Sequence, residues 1–256
     1  MAIYLLKKSY QLKDLKEVKF KDLWGDHGVF TTMWIYGSPT KILFFKEHIR
    51  NLVSSTKVYK IFKSSIKSDI LKLLKKNLNT KKKYNHLLRV ALNKNIISIS
   101  LRKRTKPSLN FNLELVNLKR QDPEFKNLKY KKILRYLSKL DNSKSDIALC
   151  SNNKIFETGT SNMFFVKKEK IYSPVNKFYK GVTYKFFRSK INKIITKNIL
   201  INSLKEFDEI ILIGSGKGVA SVKTINQIKW KRKSLKFYNI FLKNFKLAVN
   251  NCSRYK

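Results

Sequence analysis

The stretch Asp146–Thr183, DIALCSNNKIFETGTSNMFFVKKEKIYSPVNKFYKGVT, decides the fold of the C-terminal half. Its short apolar runs, DIALC, NKIFE, NMFFVKK and KIYS, are separated by turn-forming residues, which predicts four short strands joined by tight turns. Glu157 ends one of these strands and Asn162 opens the next. A glutamate at a strand end is usually a solvated charge at the edge of a sheet. Glu157 is therefore a candidate functional residue only in combination with the other segments described below.

Two glycine-containing segments farther along the chain are suited to binding an anion. Gly-Val-Thr at 181–183 starts a helix expected to extend to about residue 197, and the free N–H groups of a helix start favour phosphate. The sequence FDEIILIGSGKGVASV at 207–222 predicts a strand, a glycine-rich turn and a second strand. Glycines in that turn let backbone N–H groups approach an anion, because no Cβ intervenes.

The first third of the chain alternates strand and helix signals. GVFTTMWIYG at 28–37 ends at a Gly-Ser-Pro turn and predicts one strand of a hairpin. Amphipathic helices are expected at 48–62 and 64–78, and HLLRVAL, NIISISL and NFNLELVNL predict three more strands. The apolar pattern lapses around Pro123, which disfavours a continuous helix. We therefore expect an α/β domain at 1–118, a linker at 119–127 and a cofactor-binding domain at 128–256.

A helix is expected at 128–140, from the helical spacing of Leu128, Ile133, Leu134, Leu137 and Leu140. Lys129 lies at the N-terminal edge of this helix. In a chain with 57 Lys and Arg residues, the presence of a lysine at one position does not by itself indicate a reactive amine. Lys129 becomes a candidate because its segment comes before the Glu157 turn, the helix start at 181–183 and the glycine-rich turn within 207–222, in that order along the chain.

The formal net charge of +41 first suggests a nucleic-acid binder. The basic residues are spread along the whole chain, whereas a binding arm concentrates them beside stacking aromatics, so the charge argues instead for attraction of small anions. Cys150 and Cys252 are too few and too far apart for a disulfide framework or a metal site. No apolar run reaches the length of a membrane span and no signal-peptide pattern is found, so we expect a cytoplasmic protein.

The ordered segments resemble the class IV aminotransferase family, which includes branched-chain and D-amino-acid aminotransferases and 4-amino-4-deoxychorismate lyase. The stretch from 146 to 183 looks like the family's strand, Glu-x4-Asn turn, strand and Gly-Ile-Thr loop. GVFTTMWIYG and EHIRNL look like its early strand and the start of its first helix. The resemblance implies a two-domain α+β or α/β fold of fold type IV, like D-amino-acid aminotransferase, with pyridoxal 5'-phosphate as cofactor. It also implies a homodimer.

The resemblance implies roles for an amine and an acid at opposite ends of the cofactor ring. Lys129 would hold pyridoxal phosphate as a Schiff base and shuttle protons, with Lys126, Lys131 and Lys132 as alternative anchors. Glu157 would face the pyridine nitrogen and keep it protonated, so that the ring accepts electrons from a carbanion.

The cofactor phosphate has a second set of expected partners. Val182 and Thr183, together with Ser215 and Gly216, would supply backbone or hydroxyl donors. The family's phosphate-binding arginine is displaced by one position in this chain, to Arg50. No residue set suggests a bound metal.

The reaction implied by the resemblance is that of a lyase or an aminotransferase. GVFTT looks more like the deoxychorismate lyases, which release pyruvate from aminodeoxychorismate and leave 4-aminobenzoate, a step of folate synthesis. A branched-chain or D-amino-acid aminotransferase is the alternative. Thr31 and Thr32 would line the substrate pocket, and Lys217 marks where the loop approaches the substrate carboxylate. A cofactor-free member of the fold, or a basic nucleic-acid binder, represents a different class of function.

Overall fold

The computed structural model describes residues 3–255, and its internal contacts divide them into two units. Unit 1 extends to Arg104 and also takes in Phe125–Tyr130 and the chain from Asn251 on. Unit 2 consists of Thr105–Glu124 and Lys131–Asn250. The units are therefore discontinuous in sequence, whereas the domains expected at 1–118 and 128–256 were not.

Unit 1 has one six-stranded sheet in the order β2-β1-β6-β5-β3-β4, and every pairing in it is antiparallel. Its elements are β1 (Tyr4–Gln11), β2 (Glu17–Val18), β3 (Gly28–Gly37), β4 (Lys41–Ile42), α1 (Phe45–Val58), α2 (Ile66–Asn77), β5 (Tyr84–Asn93) and β6 (Ile96–Lys103).

The core of unit 1 combines a strand that buries every second residue with a helix that buries one face. Along β3 the inward residues Val29, Met33 and Ile35 are fully buried, as a strand with one face on a core requires. On α2 the buried residues are Ile66, Ile70, Leu73 and Leu74, which share one helical face. These side chains belong to one apolar cluster.

Unit 2 has a larger, mixed sheet in the order β12-β11-β10-β14-β15-β7-β8-β9-β13, with β16 added to β15. Its elements are β7 (Phe111–Asn117), α3 (Lys131–Leu137), β8 (Ser145–Ser151), β9 (Lys154–Thr158), β10 (Asn162–Lys167), β11 (Lys170–Ser173), α4 (Val182–Lys190), β12 (Ile194–Thr196), β13 (Ile199–Leu200), β14 (Glu209–Gly214), β15 (Gly218–Ile225), β16 (Trp230–Lys231) and α5 (Lys236–Asn250). No helix within residues 3–255 is long and apolar enough to cross a lipid bilayer.

The central strands of unit 2 are buried on both faces. β10 and β14 each place five consecutive buried residues in the sheet, which explains their unbroken apolar runs. One face of β10 meets the helices, where Phe164 stacks on Tyr184 of α4 and contacts Phe241 of α5. The next residue, Phe165, turns to the opposite face and contacts Phe207.

Three expected elements differ from the structure. The helix expected at 128–140 begins only at Lys131, because the backbone of Leu128 hydrogen-bonds to Gly28 and Gly25 in unit 1. The helix expected to reach 197 ends at Lys190, and the β-branched residues 194–196 form β12 beside β11. β7, expected in the first domain, pairs in parallel with β8 and β15 of unit 2.

A buried histidine connects α1 to β3 inside unit 1. His48 Nδ1 lies 2.7 Å from the Thr31 hydroxyl. Burial lowers the pKa of His48 to about 3, and the positive charge of Lys126 adds to that shift. The imidazole therefore stays neutral at physiological pH.

We expect His48 to destabilise the protein on mild acidification. In the unfolded chain it takes up a proton near pH 6.5 and in the folded chain only near pH 3, so its contribution falls as pH drops below about 6.5, by at most ~1.4 kcal/mol per pH unit. Denaturant titrations between about pH 6.5 and 5 should show this slope reduced in His48→Gln. His86→Gln is the comparison: burial also lowers the pKa of this ring, but it is only partly buried, so its substitution should reduce the slope less than His48→Gln does. Equal slopes in wild type and His48→Gln would contradict the assignment.

Candidate active site

Glu157 forms a buried ion pair where β9 ends. Its Oε1 accepts a 2.8 Å hydrogen bond from Arg120 Nε, and the two side chains are 6% and 1% exposed. The backbone N–H of Tyr179 donates to Oε2 over 3.3 Å. Arg120 is itself held by a hydrogen bond to the carbonyl of Pro123. The guanidinium stabilises a negative charge on Glu157, which burial alone would disfavour.

Asn162 fixes the loop that leads into α4. Its Nδ2 donates to the carbonyl of Tyr179 over 2.6 Å, and its Oδ1 accepts the N–H of Gly181 over 3.1 Å. A Cβ on Gly181 would lie 2.8 Å from Asn162 Oδ1, so the approach requires glycine. The Glu157–Asn162 turn thereby contacts two residues that immediately precede α4, Tyr179 and Gly181.

Two hydroxyl groups meet at the N-terminus of α4. Thr183 Oγ1, in the first turn, lies 3.0 Å from Ser215 Oγ in the turn between β14 and β15. Gly181 is the extended N-cap residue, and Val182 and Thr183 are buried. Gly216 follows Ser215 in the same turn and is half-buried. Four of the five residues expected to bind phosphate, all but Arg50, are thus brought together in unit 2, at the positive end of a helix dipole.

The side chain of Lys217 is buried against a carboxylate. Its Nζ lies 2.9 Å from Asp146 Oδ2, with the side chains 8% and 1% exposed. Burial lowers the pKa of Lys217, and the Asp146 charge opposes that shift. The ammonium expected near the substrate carboxylate is thus engaged by Asp146.

The three residues expected from unit 1 have different surroundings. Thr31 is buried on β3 and hydrogen-bonds His48. Thr32, the next residue, lies on the opposite face of the strand and is half-buried. Arg50 is exposed on α1.

Two of the candidate lysines, Lys126 and Lys129, lie in the segment beside β3, whereas Lys131 and Lys132 lie in α3. Asn127 forms an antiparallel bridge with Val29, and the N–H of Phe30 donates to the carbonyl of Lys126 over 2.9 Å. The ammonium of Lys126 is 4.9 Å from the centroid of the Phe30 ring. Lys129 is half-buried, and its backbone N–H donates to Asn127 Oδ1.

Comparison with known proteins identifies the family. The family model of class IV amino-transferases matches residues 28–225. This chain belongs to the class IV aminotransferase family. The predicted membership is confirmed, and it identifies the protein as a pyridoxal-phosphate-dependent enzyme of fold type IV. No curated protein matches the sequence significantly.

Solved structures of low identity share the class IV fold. A branched-chain aminotransferase from Thermoproteus uzoniensis superposes with a TM-score of 0.76 at 14% identity, covering 95% of this chain and 93% of its own. A Legionella pneumophila protein, provisionally assigned as a 4-amino-4-deoxychorismate lyase, gives 0.70 at 16% identity, with 87% and 91% covered. A hypothetical Mycobacterium tuberculosis aminotransferase in its PLP-bound form gives 0.67 at 13% identity, with 95% and 99% covered. These similarities show the fold of the chain and do not separate a lyase from an aminotransferase.

The donor set in unit 2 fits pyridoxal phosphate. A phosphate needs hydrogen-bond donors and a positive field, which the paired hydroxyls and the start of α4 supply. A protonated pyridine nitrogen needs an ionised carboxylate, which the pairing with Arg120 provides at Glu157. Within the described residues no group of three or more His, Cys, Asp or Glu side chains is arranged to hold a metal ion.

The sequence analysis missed two buried arginines. Arg120 pairs with Glu157. Arg89 on β5 forms an ion pair with Asp22 and lies over the Trp24 ring at 4.3 Å, and its Nε has no hydrogen-bond partner among the described residues. One signal could have found both: the chain has nine arginines among its 57 basic residues. Where lysine is the default cation, an arginine indicates a site that needs a planar guanidinium.

We expect Arg120→Met to destabilise the protein strongly, because it leaves the Glu157 charge buried without a partner. The loss should be about 3–5 kcal/mol at neutral pH. It should shrink as pH falls, because protonation removes the uncompensated charge. Chemical denaturation at pH 5 and pH 8 measures both effects. The double variant Arg120→Met/Glu157→Gln carries no buried charge at this position and should recover much of the loss. Equal loss in the single and double variants would show that the ion pair is not responsible.

Proposed function

We propose that this class IV enzyme is a pyridoxal-phosphate-dependent 4-amino-4-deoxychorismate lyase. The observation that carries the cofactor assignment is that one unit joins a paired carboxylate, Glu157, to a pair of hydroxyls at a helix start. The family resemblance extends the proposal to a cytoplasmic homodimer acting on a small anionic substrate. The overall positive charge favours encounter with such a substrate.

Pyridoxal phosphate supplies, when bound, an electron sink for a carbanion. Thr183 and Ser215 would bind its phosphate through their hydroxyls, and the N–H groups of Val182 and Gly216 would add backbone donors. The carboxylate of Glu157 would accept a hydrogen bond from the ring nitrogen. Arg120 keeps that carboxylate ionised and oriented.

We propose Lys129 as the anchoring lysine, with Lys126 as the alternative named from the sequence. The resemblance assigns the Schiff base to Lys129, whose backbone N–H donates to Asn127 Oδ1. Lys126 lies in the same segment, and its ammonium is 4.9 Å from the centroid of the Phe30 ring. The backbone of this segment is held against β3 by hydrogen bonds from Phe30 to Lys126 and from Leu128 to Gly28.

The lysine amine would act as the base of the lyase reaction. Its Nζ would accept the proton from the ring carbon that bears the 4-amino group of aminodeoxychorismate. The bond between the ring and the ether oxygen of the enolpyruvyl group would then break, and protonation of the methylene carbon of the released enolpyruvate would give pyruvate and leave 4-aminobenzoate. Aromatisation of the ring would drive the reaction. The pair of neutral threonines after Phe30 favours this substrate, because the aminotransferases tend to carry an acidic residue there. An aminotransferase acting on branched-chain or D-amino acids remains the second candidate.

Borohydride trapping tests the anchoring lysine. We expect the wild type, loaded with pyridoxal phosphate and reduced, to carry the label on Lys129, read by peptide mass mapping. Lys129→Ala should lose the label and the absorbance of the covalent cofactor, because the Schiff base needs the amine at this position. Lys126→Ala and Lys131→Ala should keep both. A label found on Lys126 in the wild type would reject Lys129 and establish the alternative.

Product analysis tests the reaction. We expect pyruvate release from 4-amino-4-deoxychorismate, and a fall of about two orders of magnitude in turnover for Glu157→Gln, because the amide cannot stabilise a protonated ring nitrogen. Glutamate-dependent transamination without pyruvate release would favour the second candidate. A colourless protein that binds DNA in a salt-dependent manner would reject both enzymatic assignments.

A further inference from the structure

The turn after β14 contains a cation that does not reach solvent. Lysine in an exposed turn normally extends its ammonium into water. Lys217 instead places Nζ 2.9 Å from Asp146 Oδ2 and 4.0 Å from the centroid of the Phe111 ring. A buried charge pair of this kind holds its backbone firmly, because moving either partner would leave the other unpaired.

Asp146 joins this turn to a second one. Its Oδ2 also accepts hydrogen bonds from the hydroxyls of Thr158 at 2.9 Å and Thr160 at 2.6 Å. The backbone N–H of Ile147 donates to its Oδ1 over 2.8 Å. Thr158 follows Glu157 directly, and Thr160 lies two residues farther on. The Asp146 carboxylate therefore binds both the turn after Glu157 and, through Lys217, the turn that contains Ser215.

The two turns are also in direct contact. A Cβ on Gly214 would lie 3.3 Å from Ser161 Oγ and 3.4 Å from the carbonyl oxygen of Thr160. The glycine at 214 therefore permits a close approach of the two backbones. Ser215 follows immediately and reaches Thr183 of α4 at 3.0 Å.

We propose that Lys217 and Asp146 are positioning residues for the phosphate-binding end of the site: their ion pair fixes Ser215 against Thr183, and Lys217 does not itself bind the ligand. The proposal rests on the proposed function in one respect, since it takes the two hydroxyls as the phosphate contacts. Lys217 and Asp146 would therefore affect the affinity for the phosphate group and leave the affinity for the pyridine ring unchanged.

The sign of one variant separates positioning from direct contact. Asp146→Asn removes the counter-charge of Lys217 and leaves the lysine in place. If Lys217 bound phosphate directly, this change would leave an unpaired cation and strengthen anion binding. If the pair positions the hydroxyls, the same change loosens the turn and weakens binding.

Affinities of the full-length protein for pyridoxal 5'-phosphate, pyridoxal and inorganic phosphate, measured by calorimetry at about 0.15 M ionic strength, provide the test. We expect the preference for pyridoxal phosphate over pyridoxal to fall at least tenfold in both Asp146→Asn and Lys217→Met, and phosphate binding to weaken in parallel. Lys63→Met, which breaks a partly buried ion pair with Asp69 in unit 1, is the matched control and should change neither value. If a single variant does not fold, Asp146→Asn/Lys217→Met, which leaves no buried net charge, replaces it with the same expectation.

Each alternative outcome has a distinct meaning. Tighter or unchanged phosphate binding in Asp146→Asn overturns the positioning role, and so does an equal loss of affinity for pyridoxal and pyridoxal phosphate. If the wild type binds phosphate in a way that depends on Asp146 and Lys217 but does not bind pyridoxal, the proposed cofactor fails and the positioning role stands. A wild type that binds neither phosphate nor pyridoxal phosphate overturns both.

Discussion

The ion pair between Glu157 and Arg120 is the constraint on which the organisation of unit 2 depends. A carboxylate 6% exposed at the end of β9 is unfavourable unless a cation lies beside it. The cation comes from a segment 37 residues earlier in the chain, so that segment must fold back onto the sheet that carries Glu157. Together with the pairing of β7 with β8 and β15, this contact keeps residues 105–124 in unit 2, although the chain then returns to unit 1 for residues 125–130.

Polar side chains extend from this pair to the start of α4. Asn162 holds the loop before the helix, and Asp146 holds the turn between Glu157 and Asn162 together with the turn of Ser215. Each contact joins two segments that are distant in sequence, so the acid and the hydroxyl pair are fixed relative to each other within one sheet. Pre-organised groups of this kind bind a rigid ligand without a further ordering cost, which suits a flat ring with a phosphate at one end.

The sequence predicted the elements whose apolar residues recur at a regular spacing. It did not predict the contacts between residues that lie far apart along the chain. β3, α2 and the strands β5 and β6 were predictable because their apolar residues alternate or repeat with the period of their element. Glu157, Val182, Thr183 and Ser215 were named as candidates through the family's motif, and the structure brings Thr183 and Ser215 within 3.0 Å of each other. Arg120 and Asp146 were not named, because a buried charge is recognised only with its partner, and the partners are 37 and 71 residues away. The parallel placement of β7 was missed for the same reason, since its neighbours β8 and β15 come later in the chain.

The most direct test of this account is a crystal structure of the protein with pyridoxal 5'-phosphate. The account expects the pyridine nitrogen within hydrogen-bonding distance of the Glu157 carboxylate, with Arg120 still paired to that carboxylate, and the phosphate on the hydroxyls of Thr183 and Ser215. A cofactor whose nitrogen faces any other group, or whose phosphate lies away from the start of α4, would contradict it.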